Sequence, residues 1–580
     1  MASWQLGLVV MAVPAMGCTN FIVSKQASAD NSVMFSYSAD SGPLYGTLGH
    51  YPAADHPEGA KRQIYDWDGG FYIGEIPEAR HTYNVIGNVN EHGLAIGETT
   101  FGGNETLASA GQGLIDYGSL IWIALQRCKT AREAIKTMTE LVAEYGYASE
   151  GESFTIADTE EVWVMDLIGK GKYEKGAVWV AHRVPDGHIA GHANQARIRT
   201  FPQNDPDTCI FSHDVIDFAR RIGLYPRSAA DVDFSFSDAY DPISFSGARM
   251  SDARIWSFFS KVGPVGFEKQ YEDYVTGRNL SNRFPPFVLP REKVTLESLM
   301  MATRSHYEGT PLDDRDDVGA GPYHAAFRAR PLAWKHGGND YFNERKVGTE
   351  QTGWNFVAQL RGDRPAPLRA VNWFGVDDTS YSVRVPFYGG TTTVPKCLAD
   401  GNGDALTFSF DSQFWVNNMV ANFVYTHAYA EPIVVKEVET RQELLIEAQK
   451  ASEAKALELF SEDPEKALNF VTQLSNDLAE AHRQAWLQLW QRLFVQFRDG
   501  FNVTSTDNMP NHGPKPNQGG VVPKVEEIGY DATWLGRIAS DTGDRYRVRH
   551  AASVDANKVR TLSKGVHSRL AGIERQPIVV

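Results

Sequence analysis

The chain has 580 residues, 42% apolar and 22% charged, a composition that suits a globular protein with a sizeable core. A formal net charge of −16 argues against a nucleic-acid partner, whose phosphates it would repel, and suits an enzyme acting on small molecules. Four cysteines, Cys18, Cys128, Cys209 and Cys397, are too few for a disulfide framework, and none stands in a C-x-x-C metal or redox pair.

The first 17 residues read as a removable leader. Apolar Leu6, Leu8, Val9, Val10, Met11 and Val13 precede the helix breaker Pro14, and the small Ala15 and Gly17 stand three and one residues before Cys18. Residues 1–5 carry no Lys or Arg, so a signal peptide and a propeptide removed in place both remain open. The first implies a secreted, lumenal or periplasmic enzyme, the second a cytoplasmic one. No later tract is long and apolar enough to span a bilayer. Cleavage before Cys18 would give one residue both a thiol and a free α-amino group, with reference pKa values of roughly 8.5 and 7.7–8.0. A nucleophile and its general base would then share a residue.

After Cys18, Phe21 and Val23, then Val33, Phe35 and Tyr37, fall at period 2 on either side of the turn at 27–31. The predicted hairpin brings Asp40, at the end of its second strand, beside Cys18. Residues 42–80 read as loops and short strands that roof a cleft. Residues 83–89 and 94–101 flank the turn Asn90-Glu91-His92-Gly93 and predict a second hairpin. Helical spacing follows at 114–128 and 131–145, then strands at 153–157, 162–168, 177–183 and 188–194. Strands, two helices and strands again define an α+β chain with a sheet-on-sheet core faced by helices.

From 202 to 331 the pattern is mixed, with helices expected at 213–222, 251–261 and 296–306. The acidic run at 313–317 lacks the spacing and closing Glu of a calcium loop and reads as a solvated turn. Strands are expected at 354–359, 370–376 and 381–385. Residues 437–500 form a helical C-terminal section divided by the cap-like Ser461-Glu462-Asp463-Pro464. Residues 501–580 read as a flexible excursion around 508–523 and a basic tail from about 545. His182, His188 and His192 have no partnering acid cluster and read as strand and turn residues, so no metal site is expected.

Taken in order, residues 18–42, Tyr45, His50-Tyr51-Pro52-Ala53, residues 84–103 and His192-Ala193-Asn194-Gln195-Ala196-Arg197-Ile198 resemble the cysteine dipeptidases of the N-terminal-nucleophile (Ntn) hydrolase superfamily, the dipeptidase A and secernin-like peptidases. Bile-salt hydrolases and penicillin V acylases are more distant relatives. The likeness runs from Cys18 to about Arg498. It implies a four-layer αββα sandwich over 18–436 and dipeptide or small-peptide substrates. It also implies no cofactor, and a homo-oligomer is compatible with it.

The resemblance makes Cys18 the nucleophile, Asp40 the acid that holds its amino group, and Asn194 a donor to the oxyanion. Thr99 or Thr100 stands near the position of a second oxyanion asparagine in bile-salt hydrolases. Arg197 binds a substrate carboxylate or makes a structural ion pair. Many relatives have an arginine shortly before the acid, where this chain offers Tyr37, Ser38 and Ala39. The thiolate therefore lacks a nearby cation unless one comes from elsewhere in the fold. An amidase on non-peptide acyl amides and a non-catalytic secernin-like protein are the alternatives.

Overall fold

The computed structural model describes residues 17–108, 113–329, 332–504 and 523–548. Nearly all of the expected leader, the excursion at 508–523 and the end of the tail lie outside the described residues.

The mixed α and β structure is organised around two antiparallel sheets. The strands that matter for the site are β1 (Thr19–Val23), β2 (Val33–Asp40), β3 (His50–Tyr51), β4 (Val85–Ile86), β5 (Val89–Asn90) and β6 (Ala95–Gly102). Helices α1 (Tyr117–Arg127) and α2 (Ala131–Tyr145) come next, followed by β7 (Gly151–Ala157), β8 (Val162–Gly169), β9 (Ala177–Arg183), β10 (Ile189–His192) and β11 (Cys209–Phe211). The remainder are α3 (Ala253–Val262), β12 (Thr352–Leu360), β13 (Ala370–Val376), β14 (Val385–Tyr388), α4 (Glu431–Glu462) and α5 (Pro464–Gln496). One six-stranded sheet has the order β10-β1-β2-β12-β13-β14, and an eight-stranded sheet the order β11-β9-β8-β7-β6-β5-β4-β3.

Strand β1, flanked by β10 and β2, is buried on both faces, which explains why Phe21, Ile22 and Val23 follow one another without alternation. On one face Phe21 stacks on Phe258 of α3, ring centroids 4.5 Å apart. On the other, Asn20 donates through Nδ2 to the Glu98 carbonyl of β6 at 2.8 Å. Gly97 permits this approach of the two sheets. A Cβ there would lie 2.7 Å from Asn20 Oδ1 and 2.8 Å from the Phe35 ring.

The opposite face of the eight-stranded sheet packs Ile96, Phe154, Ile156, Trp163 and Met165 against Leu120, Ile123, Ile135 and Met138 of α1 and α2. Both helices start where side chains cap orphan amides: Asp116 accepts from the Ser119 amide at 2.7 Å and Thr130 from that of Glu133 at 3.3 Å. Each such cap stabilises by roughly 1 kcal/mol.

Four local expectations are corrected. The strand expected over 83–89 breaks at Gly87, whose φ of 54° starts a tight turn between β4 and β5. The strand expected at 381–385 lies instead at Val385–Tyr388, because the turn joining the Tyr381 amide to the Asp378 carbonyl occupies the earlier residues. The acidic run is only partly solvated: Asp314, half-buried, sits between Lys346 and Arg328. Within 501–580, Phe501–Thr504 pairs with Lys524–Glu527, and a helix follows at Ala532–Thr542.

The long helices α4 and α5 meet at Asp463, whose carboxylate caps α5 beside Pro464. Val438, Leu445, Trp486 and Leu493 belong to the same apolar core as the six-stranded sheet. Gln442 also exchanges two hydrogen bonds with the Arg384 backbone next to β14, at 3.0 Å each. The helical section is thus tied to the sheet by apolar burial and directional bonds together. Among the described residues no helix is long and apolar enough to cross a membrane, and no three His, Cys, Asp or Glu side chains gather as metal ligands.

Candidate active site

Cys18 sits at the entry to β1, half-buried, its sulfur 3.7 Å from the Tyr37 hydroxyl. The β1–β2 register pairs Thr19 with Ser38, so Cys18 faces the last residues of β2. Burial, then the nearby charges of Glu98 and Asp40, push its thiol well above the ordinary range. With the peptide bond to Gly17 intact, Cys18 is a protonated thiol without an amine base.

Asp40 lies at the other end of that contact. The Gly17 amide donates to its backbone carbonyl at 2.7 Å. Its carboxylate accepts from Thr352 Oγ1 at 2.8 Å and Ser38 Oγ at 3.2 Å, and the Arg345 guanidinium stands 3.9 Å away. Burial raises the Asp40 pKa, with Arg345 the largest opposing influence. Arg345 also donates to the carbonyl of Gly17 at 2.8 Å and to that of Asp40 at 3.2 Å. A Cβ on residue 17 would fall inside that guanidinium, so any larger residue there would displace Arg345 from its contacts.

Asn194 follows β10 in the left-handed region at φ 61°, which asparagine tolerates better than most residues. Its side-chain amide donates to the Thr100 carbonyl at 2.6 Å, and its Oδ1 accepts from Arg254 at 2.8 Å. Arg254, buried on α3, also donates to the Cys18 carbonyl and Thr19 Oγ1, both at 2.8 Å, to the Ala193 carbonyl at 3.1 Å and to the Met250 carbonyl at 2.8 Å. Burial pulls its pKa down to about 10, which leaves it charged at neutral pH. A π-helical turn, Gly247–Asp252, leads into α3 and supplies the Met250 carbonyl.

Cys18, Asp40, Asn194 and Thr100 therefore converge, while Thr99 and Arg197 do not. Thr99 bonds His192 Nδ1 at 2.7 Å in the interior, Thr155 holds the other ring nitrogen at 2.7 Å, and burial pushes the imidazole down to about 3. Arg197 pairs with Asp252 at 2.8 Å and lies over the Phe284 ring, which is the structural ion pair of its two expected roles. Thr100 uses its hydroxyl to donate to Glu152 Oε1 at 2.7 Å, so its carbonyl, not its hydroxyl, meets Asn194.

Four residues escaped the sequence reading: Arg254, Arg345, Glu98 and Glu152. Arg254 and Arg345 are the cations missing from the stretch before Asp40, and they arrive from residues far along the chain. A signal for Arg254 was present, since a charge sits among Ile255, Trp256, Phe258 and Phe259 on an apolar helix. Arg345 lies in a segment without periodicity and gave none.

This geometry can be set beside known proteins. The profile of Peptidase family C69 matches residues 17–442. Among curated relatives, the probable dipeptidase of Salmonella dublin is 24% identical over 398 residues, 65% of this chain and 81% of that protein. The dipeptidase of Bifidobacterium longum is 25% identical over 444 residues, covering 70% and 76%. Dipeptidase A of Lactobacillus helveticus is 23% identical over 430 residues, covering 70% and 81%. The class is that of the cysteine-type peptidases. The chain belongs to peptidase family C69.

Proposed function

We propose that the protein is a dipeptidase that becomes active when residues 1–17 are removed and Cys18 is left as the amino terminus. The observation that carries this reading is the position of the Gly17–Cys18 bond. It lies between Asp40 and Arg345 on one side and the Arg254–Asn194 pair on the other, with the cysteine sulfur facing Tyr37. The freed α-amino group takes the thiol proton, the thiolate attacks the peptide carbonyl, and the same amine returns the proton to the departing amino acid. Water then cleaves the thioester and regenerates the thiol.

Asp40 holds the ammonium form of that amine. Asn194 has a second side-chain N–H beyond the one bonded to Thr100, and this is the donor to the oxyanion. Arg254 fixes the Asn194 amide and lends positive charge beside the nucleophile. A four-layer αββα sandwich of the Ntn-hydrolase type accounts for the layering. It is supported by the contact between the two sheets at Gly97 and by helices packed on both outer faces.

The test is hydrolysis of a set of unmodified dipeptides by the purified processed enzyme and by a Cys18→Ser variant. The proposal expects amino acid release by the first and loss of at least about 10²-fold in the second, because a hydroxyl is the weaker nucleophile at neutral pH. A variant as active as the parent removes Cys18 from the mechanism.

A further inference from the structure

The mechanism above leaves two buried carboxyl groups unused. Glu98 and Glu152 project from neighbouring strands β6 and β7, 2% and 0% exposed. Tyr37 donates to Oε1 of Glu98 at 2.7 Å, and Thr100 donates to Oε1 of Glu152 at 2.7 Å. The second oxygen of each receives no donor among the described residues. No Arg, Lys or His is among the strongest influences on either group, and the two carboxyls lie against each other. Burial raises both carboxyls, and the charge of Glu98 raises Glu152 further, so the pair resists carrying two negative charges in the absence of a cation. Asp68 adds to the same negative region, held by the Tyr117 hydroxyl at 2.9 Å.

A buried carboxylate without a cation is costly to keep, and such groups cluster where a ligand supplies the missing partner. Here the position of the pair defines that ligand. Tyr37 bridges the Cys18 sulfur, at 3.7 Å, to Glu98, at 2.7 Å. In an amino acid residue the α-nitrogen is separated from its carbonyl carbon by one Cα, about 2.5 Å away from bond lengths near 1.5 Å and an angle near 111°. A substrate whose carbonyl is under attack by Cys18 must therefore carry its α-nitrogen close to the sulfur. The amino terminus of Cys18 itself lies on the Asp40 side, where Gly17 meets the Asp40 carbonyl. The two acidic groups thus flank the nucleophile with different duties.

We infer that Glu98 and Glu152 form the subsite for the substrate's α-ammonium, so that the enzyme acts on peptides with a free amino terminus and cleaves after the first residue. This rests on the dipeptidase reading and deepens it. Positive charge at the pair also lowers the cost of a thiolate at Cys18, so the correct substrate favours its own nucleophile. Blocked or des-amino substrates leave the pair unpaired and are rejected, as happens when any buried polar site loses its partner.

The experiment compares a dipeptide with its des-amino analogue, in which the first residue is replaced by the matching acyl group and the second is unchanged. Processed wild-type enzyme is expected to favour the dipeptide by about 10²-fold or more in kcat/KM. The double variant Glu98→Gln with Glu152→Gln, which removes both carboxyls, is expected to cut that preference to about tenfold or less, chiefly by raising KM for the dipeptide. Equal kcat/KM for the two substrates in the wild type overturns the inference and leaves the dipeptidase reading standing, with no variant needed. A double variant that loses the same factor on both substrates also overturns it. If processed wild type cleaves neither substrate nor any other dipeptide, the dipeptidase reading fails and the inference with it.

Discussion

Asp40 and Glu98 are both buried carboxyl groups within reach of Cys18, yet the protein treats them in opposite ways. Asp40 receives two hydroxyls and stands near Arg345, so its own surroundings oppose part of the cost of its burial. Glu98 receives one phenol and faces a second carboxyl, with no cation among its strongest influences. A group that holds a permanent part of the catalytic residue must be satisfied in the resting fold. A group awaiting a ligand is satisfied only when the ligand arrives. The contrast separates positioning from recognition around one nucleophile.

The most damaging change on the positioning side is Arg254→Met. It removes the donor to four carbonyl or hydroxyl oxygens and to Asn194. Leaving such acceptors unsatisfied costs about 3 kcal/mol or more, and a misplaced oxyanion donor costs about 10²-fold in kcat. Urea unfolding and steady-state kinetics read the two losses separately. Arg254→Lys is expected to recover stability more than rate, because an ammonium cannot reproduce the planar fork. Unchanged kcat in Arg254→Met would mean that Asn194 does not need its partner.

Asp40→Asn is the next in size and acts through pH. Asp40 favours the ammonium form of the Cys18 amine, so its loss lowers the amine's pKa. The acidic limb of kcat/KM then moves to lower pH, while the plateau falls about tenfold or more through lost positioning. The limb belongs to the coupled thiol and amine, not to either alone. An unchanged limb and plateau would break the assignment of Asp40 to the positioning side.

The pairing of Cys18 with Asp40 was legible because two period-2 runs joined by a short turn fix a register, and a slip of one residue would turn every side chain to the wrong face. Helices α1 and α2 were legible for a similar reason, through apolar spacing and the caps Asp116 and Thr130. The cations were not. Arg254 reaches Cys18 across 236 residues and Arg345 reaches Asp40 across 305, separations over which no local pattern carries information. Glu98 read as an ordinary strand residue and Glu152 fell just before the strand expected at 153–157, until β6 and β7 paired and set Glu152 against Thr100. Arg197 shows the converse: it lies in the run that carries the family likeness, but its ion pair with Asp252 depends on a distant turn.

The smallest effect comes from a carboxyl outside the site. Burial pushes Asp377 up to about 8, against roughly 3.9 in an unfolded chain. The protonated form is favoured by folding, so its contribution is full below about pH 4 and is lost as pH rises through 8. Asp377→Asn keeps a residue that tolerates its φ of 68° and removes the titration. Between pH 5 and 9 the variant's Tm should fall about 1–2 °C less than that of the wild type. An identical fall would show that Asp377 does not titrate in this range.

The central claim is that Cys18 becomes the amino terminus, because only then does one residue hold both nucleophile and base. Intact-mass and Edman analysis of the catalytically active protein tests it directly. The account predicts a first residue of Cys18, with residues 1–17 absent from every active molecule. Full dipeptidase activity in protein that still carries Gly17 joined to Cys18 would contradict it.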